Sequence, residues 1–215
     1  MSEVLKSQSI AWAQEVLLKK DKYVILDSET TGLKKNDVIV QLAVIDLNGN
    51  ELFNSLIRPT KRKRISADAT SIHGISMKDL KDQPSLSEVI DDFILAIGNK
   101  TVLIYNAEYD TRLLEQTCDQ DEIASPHFRS RCVMLKYSSF VGEWNEYRGD
   151  YKWQRLPGGD HSAIGDCRAT LAVIKKMAAY RTPVKSKSSS FEFSDQMFYL
   201  GLIMFILYII YLFSS

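Results

Sequence analysis

Residues 23–33 read Tyr-Val-Ile-Leu-Asp-Ser-Glu-Thr-Thr-Gly-Leu, an apolar run that ends abruptly in two carboxylates. The pattern predicts a buried strand that enters a functional site. Side chains alternate faces along a strand, so Asp27 and Glu29 project to one side and Ser28 to the other. Acids held that close raise each other's pKa unless a cation neutralises them, and hard oxygen ligands suit Mg²⁺ or Mn²⁺. A pair of solvated acids at a strand end has the same Asp-x-Glu text, so the decision rests on other stretches.

A chain of 215 residues can bury one substantial core and carry a small appendage. Lys plus Arg and Asp plus Glu each total 27, so net charge gives no global attraction to nucleic acid or anionic lipid, and any electrostatic steering must be local. The three cysteines, Cys118, Cys132 and Cys167, are widely spaced and form no Cys-x-x-Cys pair, which predicts reduced core residues in a cytosolic compartment. Residues 1–10 carry Glu3 and Lys6 where a secretory signal needs an apolar core, so no export signal is expected.

Taken in order, Ile10, Ala13, Val16 and Leu17 predict an amphipathic helix over residues 8–19 that leads into the first strand. Residues 38–47 and 52–57 read as strands joined across Asn48-Gly49-Asn50, a hairpin signal because Asn and Gly tolerate positive φ. The basic run Lys61, Arg62, Lys63 and Arg64 fits a solvated loop or a hold on a phosphate backbone. Residues 85–97 predict a helix stopped by Gly98-Asn99, and residues 101–105 a short strand followed by a helix to about Cys118, with Asp110 in its first turn. Residues 125–159 are hard to read, and 133–140 fit helix or strand equally. A last helix opens at 161–166 and runs to about Tyr180. The sum is one α/β domain, a mixed sheet flanked by helices, over residues 1–180.

Residues 181–196 are rich in Ser and Lys and read as a polar linker. Residues 197–213 then run 17 positions without a charge, just long enough to cross a hydrocarbon core of roughly 30 Å. We expect a single C-terminal transmembrane helix in the lipid bilayer, with Arg181, Lys185 and Lys187 keeping the domain on the cytoplasmic side, a tail-anchored topology.

The acids at element ends, with His161, fall in four blocks. These are Asp-Ser-Glu-Thr-Thr-Gly at 27–32, Ser-Ile-His-Gly-Ile at 71–75, Asn-Ala-Glu-Tyr-Asp at 106–110 and His-Ser-Ala-Ile-Gly-Asp at 161–166. In this order they resemble the DEDDh, or DnaQ-like, 3′-to-5′ exonucleases over residues 21–178. The resemblance implies an RNase H-like fold and two divalent metal ions, Mg²⁺ or Mn²⁺, held by Asp27, Glu29, Asp110 and Asp166. It makes His161 the general base and puts single-stranded nucleic acid 3′ ends in the site. By the same resemblance Thr30, Thr31, Gly32 and Leu33 line the pocket for the terminal nucleotide, with His73 and Asn106 on the substrate side. Ordinary turn and loop hydrogen bonding accounts equally well for His73 and Asn106. Two departures stand out: Tyr105 where many relatives have His, and Cys132 where many carry an Asp-Thr pair. The alternative reading, a binding or adaptor module without turnover, is disfavoured by the presence of all four acids and the His.

Overall fold

In the computed structural model, which describes residues 2–61 and 63–181, the acid-bearing stretch is β1 (Tyr23–Thr30), the central strand of a five-stranded sheet. β2 (Ile39–Asp46) runs antiparallel to it on one side and pairs with β3 (Glu51–Leu56) across the expected turn, where Gly49 has φ 97°. On the other side β4 (Thr101–Ile104) and β5 (Ser130–Cys132) extend the sheet in parallel, giving the order β3-β2-β1-β4-β5.

The period of two sorts the strands into two cores. Val24, Leu26, Leu42, Val44, Val102 and Ile104 pack with the apolar stripes of α3 (Leu86–Ile97) and α4 (Ala107–Asp121). Ile25, Ala43, Ile45 and Leu103 face α1 (Ser2–Leu18), α5 (Val133–Val141) and α6 (Ala163–Ala179). Helices on both faces explain why these strands read as nearly continuous apolar runs. The layers up to Tyr180 make one compact unit.

Several element ends follow local chemistry. Ser85 and Glu88 form a capping box at the start of α3, the Ser85 N–H donating to Glu88 Oε2 at 2.7 Å, and Gly98 closes the helix. The ambiguous stretch at 133–140 is helical, with Val133, Met134, Tyr137 and Phe140 buried on one side of α5 and Gly142 in the left-handed conformation (φ 80°) ending it. The first helix begins earlier than its apolar spacing showed, because its opening turns are largely exposed and carry no stripe. The short α2 (Ala67–His73) has only Ala69 buried, so no periodicity announced it; Ser66 caps it by accepting from the Ala69 N–H at 3.1 Å. After α5 a small hairpin, β6 (Trp144–Asn145) and β7 (Asp150–Tyr151), precedes the loop to α6. Among the described residues no helix is long and apolar enough to cross a membrane; the expected span at 197–213 and the linker from 182 to 196 lie outside them.

The sheet is irregular where the acids stand. Glu29 pairs with Gln41 but Thr30 pairs with Ile39, which leaves Val40 as an extra residue in β2. This bulge reverses the alternation, so Ile39 joins the same core as Leu42 and Val44. The buried Thr117 on α4 takes up the displaced ladder: its Oγ1 accepts from the Ile39 N–H at 3.0 Å and donates to the Leu113 carbonyl at 2.7 Å. Thr117→Val keeps the shape but orphans a buried N–H, and urea unfolding should show a loss of about 1–3 kcal/mol. An unchanged midpoint would show that the bulge does not depend on this bond.

Candidate active site

Strand alternation sends Asp27 and Glu29 to the face that carries Ile25, the face on which α6 packs. Asp166, in the first turn of α6, meets them there: one carboxylate oxygen from each of Asp27, Glu29 and Asp166 lies within 4.8 Å of the others. Ser28 points to the opposite face, as expected, and that is how it reaches the site's fourth acid. Its hydroxyl donates to Asp110 Oδ1 at 2.6 Å. Asp110 is buried in the first turn of α4, whose start is set by the end of the parallel strand β4 beside β1. Clefts outside the carboxyl ends of parallel strands are where such folds place ligands.

Crowded acids in poor contact with water resist ionisation. Burial, followed by the charges of Asp110, Asp166 and Glu29, raises the Asp27 carboxyl well above the usual range. Glu29 is pushed up to about 8, by burial first and then by Asp166 and Asp110. Asp110 is pushed up to about 7 by burial, although the Ser28 hydrogen bond pulls the other way. Asp166 is raised by burial against hydrogen bonds from the loop before it. A cation placed among the four would reverse this cost, and the donor set, all carboxylate oxygen with no thiolate or imidazole in the converging trio, fits a hard ion such as Mg²⁺ or Mn²⁺.

The loop before α6 is built around Asp166. The N–H groups of Asp160 and His161 donate to its Oδ1 at 3.0 and 3.3 Å, and Ser162 caps the helix by accepting from the Gly165 N–H at 3.1 Å. Gly159 passes so close that a Cβ there would sit 2.5 Å from Asp166 Oδ1, so any side chain would displace the acid. His161 is exposed and held at φ 61°, a left-handed backbone uncommon outside glycine. Tyr105, at the end of β4, anchors the earlier part of this loop: its hydroxyl lies 2.9 Å from the Gln154 carbonyl and 3.0 Å from that of Arg155. Cys132 stands at the position just before α5, its thiol donating away from the helix to the Tyr105 carbonyl at 3.2 Å. Both departures noted in the sequence are thus packed into the scaffold around the acids.

Next to Glu29 opens a cleft of about 670 Å³. Thr30, Thr31, Gly32, Leu33 and His73 line it. The two threonine hydroxyls are engaged within the turn: Thr30 Oγ1 donates to the Gly32 carbonyl at 3.0 Å and Thr31 Oγ1 to Asp37 Oδ1 at 2.8 Å. At Gly32 a Cβ would lie 2.8 Å from Asp37 Oδ2, so the close backbone approach expected there is imposed by the protein's own turn. The His73 ring is likewise committed: Nδ1 accepts from the Ile75 N–H at 3.0 Å, which leaves Nε2–H to donate to the Thr30 carbonyl at 3.1 Å. Asn106 is not brought to the cleft wall; it stands at the N-terminal boundary of α4, where its carbonyl accepts from the Tyr109 and Asp110 N–H groups at 3.0 and 3.3 Å.

Sequence reasoning missed several cleft residues. The Tyr109 hydroxyl donates to the Gly32 carbonyl at 3.0 Å; its place directly before Asp110 was the available signal. Ile72 of α2 also lines the cleft, as does Arg64, the last of the basic run that the sequence offered as a hold on a phosphate backbone. Leu33 and Ile72 are 83% and 54% exposed, apolar surfaces at the mouth of a polar site.

Comparison with known proteins agrees with this geometry. A family model described as exonuclease matches residues 24–174. An uncharacterised exonuclease of Escherichia phage 186 is 34% identical over 176 residues, covering 74% of this chain and 89% of that protein. The epsilon subunit of DNA polymerase III from Buchnera aphidicola subsp. Schizaphis graminum is 30% identical over 105 residues, a match that spans 44% of this chain and 44% of that protein. Among solved structures, exonuclease X in complex with 5′ overhanging duplex DNA superposes with a TM-score of 0.51 at 26% identity, over 74% of this chain and 94% of that one. The chain therefore belongs to the RNase T, or DnaQ-like, exonuclease family.

Proposed function

We propose that the chain is a metal-dependent exonuclease that removes nucleoside 5′-monophosphates from the 3′ ends of single-stranded DNA or RNA. The observation that carries this reading is the convergence of Asp27, Glu29 and Asp166 oxygens within 4.8 Å beside an open cleft, with Asp110 buried behind them. In it, Asp27, Glu29, Asp110 and Asp166 hold two divalent ions, Mg²⁺ or Mn²⁺. Such ions, when bound, stabilise charge on the attacked phosphate and acidify water. The remaining work belongs to the chain. His161, on the loop that grips Asp166, accepts the proton of the attacking water at its imidazole, near neutral pH. The wall from Thr30 to Leu33, with His73 and with Asn106 behind it, seats the terminal nucleotide so that its 5′ phosphate faces the acids. Exposed Leu33 and Ile72 offer apolar contact to a base, and Arg64 offers charge to a phosphate.

The same reading assigns residues 1–180 to the exonuclease domain, 181–196 to a linker and 197–213 to a membrane anchor that leaves the domain facing the cytoplasm. Its support is the uncharged stretch itself and the Lys and Arg before it.

Incubating the full chain in mild detergent with Mg²⁺ or Mn²⁺ and 5′-labelled single strands should give a ladder that shortens from the 3′ end. His161→Ala should lower turnover by about 10² to 10⁴, and Asp27→Asn should abolish it. Tight binding of the strand with no ladder under either ion would favour the adaptor alternative.

Stability should report the cation independently of turnover. Without metal, folded Glu29 and Asp110 keep their protons up to about pH 8 and about 7, while the unfolded chain releases them near 4.5 and 3.8. The unfolded state then binds fewer protons in that window, so stability is fullest below about pH 4 and falls as pH rises towards 8. Mg²⁺ should raise Tm more at about pH 8 than at about pH 5. An equal or absent shift at both would speak against ion binding by these acids.

Deleting residues 197–213 should move the chain from the membrane pellet to the supernatant while 3′ trimming persists. Retention in the pellet would remove the anchor.

A further inference from the structure

The chain carries no net charge, yet its proposed substrate is a polyanion, so attraction has to come from a local patch. One lies beside the cleft. The loops at residues 33–37 and 60–64 are tied together, Lys63 Nζ donating to the Asn36 carbonyl at 2.6 Å and the Ser66 N–H to the Thr31 carbonyl at 2.9 Å. Lys34, Lys35, Lys61, Lys63 and Arg64 stand on this pair of loops. Their acid, Asp37, is turned inward, accepting from the Thr31 hydroxyl and the Lys34 N–H. Among the described residues Lys61 alone of the five makes an ion pair, with exposed Glu122 at 3.8 Å, a contact of little strength.

The two loops separate two hollows. On one side is the cleft next to Glu29, which Lys34 and Arg64 line. On the other is a shallow groove of about 310 Å³ lined by Lys35, Lys61 and Lys63, with Asp119 its one acid. Basic side chains therefore border the cleft, whose lining also holds the acids Glu29, Asp37 and Asp68, and continue over a ridge into a second groove.

We propose that this ridge binds the sugar-phosphate backbone of the strand upstream of the terminal nucleotide. The inference rests on the exonuclease reading of the cleft and extends it. Lysine ammonium groups act as point charges on phosphates of any sequence, so the ridge holds long strands without reading bases. Its continuity with the cleft favours nucleic acid over anionic lipid, the other phosphate-rich surface near a tethered protein.

The test uses the full chain and a Lys35→Ala/Lys61→Ala variant, neither position lining the cleft. Fluorescence anisotropy in EDTA measures binding of a long single-stranded oligonucleotide without cleavage, and turnover of a dinucleotide is followed with Mg²⁺. In the variant, affinity for the long strand should fall about tenfold and the slope of log affinity against log salt should shrink by about 1.4, at 0.7 per phosphate contact. Dinucleotide turnover should not change. Unaltered affinity and slope would overturn the ridge, as would lost binding to phosphatidylserine vesicles with nucleic-acid binding intact. If the wild type cleaves neither substrate, the exonuclease reading fails, and the anisotropy arm still decides the ridge.

Discussion

The structure depends on bringing four carboxylates to one place against their own repulsion. Burial raises Asp27, Glu29, Asp110 and Asp166, and the charges of neighbouring acids add to it, so the acids do not stabilise the fold that holds them. Their convergence has to be imposed from outside the cluster. Two apolar cores, one on each face of β1, supply most of that force, because they fix the strand between α4 and α6 and thereby fix which acid comes from which side.

Local bonds then set each acid. Ser28 holds Asp110 through a 2.6 Å hydrogen bond, and the Asp160 and His161 N–H groups hold Asp166. The side chain of Gln41, the partner of Glu29 in the ladder, accepts from the Ala163 N–H at 3.2 Å and docks the first turn of α6 against β2. The bulge after that pair turns the chain towards the cleft, and Thr117 absorbs its cost. Strain is spent in the loop as well, where His161 adopts a left-handed backbone, and Gly159 leaves the space of a Cβ to the Asp166 carboxylate. Two of the acids stand on β1 and two on first helical turns, while His161 stands on an exposed loop.

The four acids of the cluster were legible because strand alternation and helix starts are short-range rules: Asp27 and Glu29 share a face by parity, and Asp110 and Asp166 sit in first turns. The central strands and α3 were equally plain, from apolar periodicity and the Gly98-Asn99 stop. What escaped was set by tertiary contact. α2 buries a single residue and so has no stripe to read, although it supplies His73 and Ile72 to the cleft. Tyr109 and Arg64 reach the cleft only because the turn at residues 31–38 folds back onto α4 and onto the basic loop. His73 shows the opposite limit: its motif marked it for substrate, while both ring nitrogens bind the protein's own backbone.

The central claim is that these acids are a cage for hard cations. Anomalous scattering from crystals grown with Mn²⁺ tests it most directly. A Mn²⁺ peak is expected between the carboxylates of Asp27, Glu29 and Asp166, the trio whose oxygens already lie within 4.8 Å of one another. Mn²⁺ bound only elsewhere, with this trio empty at saturating metal and neutral pH, would contradict it.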